Sequence, residues 1–280
     1  MSLGVCECCG FVFNQSFEPE QVNYGANYDN TQTCSPSFDE YLGELARHLI
    51  CKKNVRNCRI VEVGCGKGQF LRRLVEGVEA ENSGNTGYGF DPSYVGPLSD
   101  LDGRLRFEKR YYDTGCTDTA ADVVICRHVI EHVANSLDLL SIIHRTLNST
   151  LRARVFIETP CTEWILRNQV ICDFFYEHCS YFTSRSLTTA LEIAGFRVEE
   201  VCHVFGGQYL WLEAAVAQRP TSGPANPRAD AIPALAREFG VAEAQLIKDW
   251  KARIENLHVE AGGKTAIWGG VQKAQHSPIW

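Results

Sequence analysis

The residues best suited to chemistry begin with three glycines. The run Ile60-Val61-Glu62-Val63-Gly64-Cys65-Gly66-Lys67-Gly68-Gln69-Phe70 reads as a strand buried on both faces, a glycine turn and the opening of a helix. Glycine lets a backbone turn sharply and lie close to a ligand, so the turn predicts a nucleotide-type site. A dinucleotide fingerprint is spaced Gly-x-Gly-x-x-Gly so that a pyrophosphate rests on the helix N-terminus, whereas this turn is Gly-x-Gly-x-Gly. Glu62 places an acid at the strand end, which favours an ammonium group and repels a pyrophosphate. Farther on, Gly87-Tyr88-Gly89-Phe90 reads as the next strand and ends in Asp91-Pro92. That is where α/β nucleotide sites place a carboxylate to accept hydrogen bonds from ribose hydroxyls.

Two histidine segments complete the set. His128-Val129-Ile130-Glu131-His132 fits the His-x-x-Glu-His pattern of inverted zinc metallopeptidases, in which two histidines one helical turn apart hold zinc and the acid activates water. That chemistry needs a long helix and a third protein ligand, but a buried strand, Asp122-Val123-Val124-Ile125-Cys126, ends just before the motif. The peptidase is therefore the distant alternative. Tyr176-Glu177-His178 lies in an aromatic-rich stretch with Trp164, Phe174, Phe175, Tyr181 and Phe182, expected as a lid over the strand ends. A histidine there is the natural base near neutral pH.

Glu62-x-Gly64-x-Gly66-x-Gly68 resembles the first motif of class I S-adenosylmethionine-dependent methyltransferases, which also often carry Glu-His-Val after the fourth strand, here Glu131-His132-Val133. The resemblance implies an α/β, Rossmann-like fold with a mostly parallel seven-stranded sheet and helices on both faces. It implies S-adenosylmethionine as cofactor and S-adenosylhomocysteine as product. The cofactor would be held by Glu62, Gly64, Cys65, Gly66 and Gly68, by Asp91 and Pro92 at the ribose, and by Asp113 near the adenine amino group. Cys126, Arg127 and His128 would face it from the end of the fourth strand.

Tyr176-Glu177-His178 is similar to a segment of bacterial C-methyltransferases that act on nucleotide-linked deoxy keto-sugars. In that reading His178 removes the proton beside a carbonyl, Glu177 orients it and Tyr176 donates to the enolate. O- or N-methylation of another small metabolite is the nearer alternative. A nicotinamide oxidoreductase needs the other glycine spacing, and a non-catalytic binding module would keep the fold and lose cofactor affinity.

The positioning elements follow in order. Cys6-Glu7-Cys8-Cys9 resembles half a zinc ribbon, with Cys6 and Cys9 as the ligand pair. Zinc needs four ligands, so either an upstream pair is missing or Cys8 or Cys34 completes a poorer site, and no bound metal is expected. Ser37 reads as the cap of a helix through Ile50 with Glu40 in a capping box, and Tyr28 as an aromatic lining the site. Strands are expected over Leu105 to Tyr112, Val155 to Pro160, Phe196 to His203 and Tyr209 to Ala217, and helices over Leu137 to Leu147 and Ser184 to Ala194. Residues 1–15 are read as the ribbon remnant, 16–218 as the methyltransferase domain, and 219–280 as a linker, helices and the start of a clipped α/β domain.

A formal charge of -7 offers no basic patch for bulk nucleic acid, so the expected partner is a small molecule, in the sugar reading a nucleotide-sugar. With no signal peptide and no apolar run of membrane length, the chain reads as cytoplasmic, a monomer or homodimer, its thirteen cysteines reduced.

Overall fold

The computed structural model describes residues 1–22, 24–25, 35–147, 153–217 and 231–264. Its centre is an eight-stranded sheet. In chain order the strands are β3 (Arg59–Val63), β4 (Thr86–Phe90), β5 (Ser99–Asp100), β6 (Leu105–Glu108), β7 (Val123–Arg127), β8 (Arg154–Pro160), β10 (Phe196–Val204) and β11 (Tyr209–Val216). They lie in the order β10-β11-β8-β7-β3-β4-β6-β5. β6, β4, β3, β7 and β8 run parallel, β11 turns antiparallel against β8, and β10 closes as its hairpin partner. The expected seven strands are all present, and the two-residue β5 adds an antiparallel edge.

The sequence makes this sheet because its central strands are apolar on both sides. Val61, Val124 and Val155 are paired neighbours that face one core with Leu140, Ile143, Leu187 and Leu191. Ile60, Ile125 and Phe156 face the opposite core with Leu42, Leu49, Leu71 and Trp211. Helices α1 (Pro36–Arg47) and α2 (Gln69–Val75) cover this second face; α3 (Ser136–Thr146) and α5 (Ser184–Ile193) cover the first. No described helix is long and apolar enough to cross a membrane.

Several boundaries move from their sequence expectation. Ser35, not Ser37, caps α1, because Pro36 fits the first helical turn where its missing N–H costs nothing. Thr183, not Ser184, caps α5 in a capping box with Ser186. β6 stops at Glu108, short of Tyr112.

The N-terminal strands and a helix that begins at Ile232 both pack on the aromatic-rich stretch. Cys6 to Cys9 sits at the turn between β1 (Leu3–Val5) and β2 (Val12–Asn14), and β2 pairs with β9 (Ser180–Tyr181) through Val12↔Tyr181 and Phe13↔Ser180. One helix, α6 (Ile232–Glu260), puts Ile232 and Phe239 into a small core with Val12, Phe174, Tyr181 and Ile165 of α4 (Thr162–Asn168). Tyr28, Cys34, most of the expected linker and the expected final strand lie outside the described residues.

Candidate active site

The chain reverses its direction of travel across the sheet at β3, with β4 on one side and β7 on the other. An open α/β sheet has its ligand crevice outside the carboxyl ends of the strands at such a point. A cavity of about 520 Å³ opens there, walled by the turn after β3, the residues after β4, and the segment after β7.

The glycine turn is fixed by backbone hydrogen bonds. Gly64 and Cys65 both donate to the Phe90 carbonyl, and Gly66 N–H donates to Asp91 Oδ2 at 2.8 Å. Gly64, Gly66 and Gly68 all have positive φ. At Gly64 a Cβ would stand 2.1 Å from Val129 Cγ2, so this turn and the one after β7 approach as closely as glycine allows. Asp91 Oδ1 also accepts from Ser93 N–H and Oγ. A carboxylate has about four acceptor positions, so this one keeps room for a ligand hydroxyl. Glu62 is buried, accepts from Leu71 N–H, and is pushed up to about 8 by burial. A buried acid on a cavity wall fits an incoming ammonium group.

Of the predicted cofactor residues, Glu62, Gly64, Cys65, Gly66, Asp91, Pro92, Arg127 and His128 line the cavity. Three do not. Gly68 caps α2 and packs under Phe107 and Tyr94. Cys126 points into the α3 and α5 core, because strand alternation turns it away from the wall. Asp113 is exposed, accepts from Arg110 and caps a short turn at Gly115; the wall beside it is Tyr112 with Val133, Leu139 and Ile142.

The other wall is a side-chain network. Glu158, fully buried at the end of β8, meets Arg127 Nη2 at 2.9 Å and His128 Nε2 at 2.7 Å, and accepts from the Tyr41 hydroxyl of α1. Burial opposes ionisation, yet the Arg127 charge and then His128 hold Glu158 down to about 2. Burial likewise opposes the charge on His128, but Glu131 and Glu158 raise it to about 9, so it is cationic at neutral pH. His128 sits at φ 52°, where a non-glycine residue persists only under strong local restraint. The peptidase geometry is absent: the segment is a strand end and one short helical turn, Ile130–His132, and His128 faces Glu158.

Behind it lies a second group. Thr159 Oγ1 donates to Glu131 Oε2 at 3.0 Å, and the His132 and His178 rings meet edge to face at 4.6 Å. The Tyr24 hydroxyl is 2.8 Å from His132 Nδ1, and both residues line the cavity. His178 does not line it; it is buried behind His132 and pushed down to about 3 by burial and then by His132. Tyr176 also lies elsewhere. Its hydroxyl donates to the Ser16 carbonyl and accepts from Glu18 N–H, because the pairing of β9 with β2 draws this segment toward the N-terminal residues. Glu177 does not line the cavity, and its backbone lies against His132.

Sequence reasoning missed Tyr24, Tyr41, Tyr112 and Glu158 as parts of the site, and had His132 only as a metal ligand of the rejected motif. Tyr24 had a signal, as an aromatic in the polar stretch ahead of α1, but Tyr41 and Glu158 read as ordinary helix and strand residues.

The methyltransferase-domain family model matches residues 37–201, from α1 into β10. The chain belongs to that family, and with it to the class I S-adenosylmethionine-dependent methyltransferases. No curated protein matches it. Among solved structures it is similar to the Burkholderia thailandensis 1,6-didemethyltoxoflavin-N1-methyltransferase with bound S-adenosylhomocysteine, at 17% identity, 65% of this chain, 80% of that one and a TM-score of 0.49. It is also similar to the Synechocystis magnesium protoporphyrin IX methyltransferase, at 17% identity, 68% of this chain, 90% of that one and a TM-score of 0.47.

Proposed function

We propose that this methyltransferase acts on a small molecule at a carbon beside a carbonyl, with a nucleotide-linked keto-sugar as the substrate class. S-adenosylmethionine, when bound, supplies an electrophilic methyl group. Glu62, Gly64, Gly66 and Asp91 would hold it, since they form a close-approach backbone cradle with one buried acid for its ammonium and another for its ribose.

The observation that carries the reaction type is the pairing of Tyr24 with His132 on the cavity wall, backed by His178. A carbon next to a ketone becomes a nucleophile only on losing a proton, and the charge then moves to oxygen. His132, on the cavity wall, would take that proton. The His178 ring supports it from behind, which revises the expectation that His178 itself meets the substrate. Tyr24 takes over the hydroxyl role expected of Tyr176.

The test is His132→Ala with a keto-sugar nucleotide in deuterated solvent. A general base contributes ~100- to 10,000-fold, so turnover and α-proton exchange should fall together by that factor while cofactor affinity holds. Unchanged exchange would remove His132 as the base. A product methylated on oxygen or nitrogen would refute carbon as the acceptor.

A further inference from the structure

We propose that Glu131, His132 and His178 form a binding site for a divalent first-row transition-metal ion, zinc above all, and that a bound ion prevents His132 from accepting a proton. One ligating atom from each residue lies within 4.8 Å of the others. Two imidazoles and a carboxylate are a donor set that zinc takes readily, and it leaves a position open. Zinc bonds of roughly 2.0–2.2 Å require the donors to close in by about an ångström, within reach of small side-chain rotations.

An orphaned buried nitrogen points to an ion. His178 Nδ1 is buried without a hydrogen-bond partner, which is rare because buried polar groups are nearly always satisfied, and Glu131 Oε1 has beside it only the His128 Nδ1 contact at 3.6 Å. The remaining positions are already braced as in a metal site. Thr159 holds Glu131 Oε2, the Tyr24 hydroxyl orients the His132 ring, and Cys179 N–H donates to the Glu131 carbonyl at 2.9 Å, tying the His178 segment to Glu131. Of the three residues His132 lines the cavity, so the ion would stand at the edge of the substrate space.

The inhibitory consequence rests on His132 as base, because a nitrogen bonded to a metal has no lone pair for a proton. The site itself does not rest on that reading, and its test needs no substrate. Cobalt(II) alone is titrated into the full chain and followed by its visible ligand-field bands. One equivalent should bind with bands of nitrogen and oxygen ligation and no thiolate charge-transfer band, and zinc should displace it.

His178→Ala and Glu131→Gln should each abolish those bands, and Tyr24→Phe should weaken binding ~10- to 100-fold. Cys6→Ser with Cys9→Ser should leave the bands intact. Bands that survive His178→Ala in a variant melting as the wild type does, bands lost only with the cysteines, or no cobalt uptake by the wild type would each overturn the site. Should Glu131→Gln fail to fold, His178→Ala decides.

Discussion

At the glycine end of the cavity every donor is a backbone N–H: Gly64 and Cys65 to the Phe90 carbonyl, Gly66 to the Asp91 carboxylate, and Leu71 to the Glu62 carboxylate. At the histidine end the contacts are side-chain contacts between residues far apart in the chain. Tyr41 and Glu158 are 117 residues apart, and Tyr24 and His132 are 108 apart. The first end takes a shape that adjacent strands impose on any glycine turn of this spacing. The second end holds opposite charges on buried and half-buried side chains, where each group depends on its partners.

That contrast predicts its largest effect at Glu158. Glu158→Ala leaves Arg127 and His128 without their shared buried carboxylate, and breaking such a pair costs about 3–5 kcal/mol. Urea unfolding measures it, and a loss under ~1 kcal/mol would place this network among exposed surface pairs instead. Gly64→Ala is next. An L-residue in the left-handed region costs roughly 1–2 kcal/mol, before Val129 is displaced. The same unfolding measurement reads it, and a neutral substitution would mean the turn is free to relax.

How much of this was legible follows from the same contrast. Gly64, Gly66, Glu62 and Asp91 could be read because backbone geometry at a strand end imposes residue types at fixed spacing. The strands around them could be read from their continuous apolar runs. Glu158 could not: in Val155-Phe156-Ile157-Glu158 it looks like a strand-end acid, and only pairing of β8 with β7 brings it to Arg127 and His128. Tyr176-Glu177-His178 was found as a segment but misassigned in detail, because Val12↔Tyr181 pairing sets which way that segment faces, and nothing local announces it.

The smallest effect sharpens the glycine end. Burial keeps Glu62 protonated up to about 8, above the ordinary carboxyl value of 4.5, while an ammonium partner requires it ionised. Cofactor binding near neutral pH should therefore release a proton. Affinity should rise as pH climbs toward 8 and level off above it, by at most about tenfold, or 1.36 kcal/mol, per unit. Calorimetry of S-adenosylhomocysteine across that window should show the slope in the wild type and not in Glu62→Gln. A wild type without a slope would place the ammonium elsewhere.

The division of labour between the two ends is tested most directly by calorimetry of S-adenosylhomocysteine on Asp91→Ala beside His132→Ala. Asp91→Ala should weaken binding by about 1.5–3 kcal/mol through lost hydrogen bonds to a charged acceptor, and His132→Ala should leave it unchanged. Equal losses in both variants, or full affinity in Asp91→Ala, would contradict it.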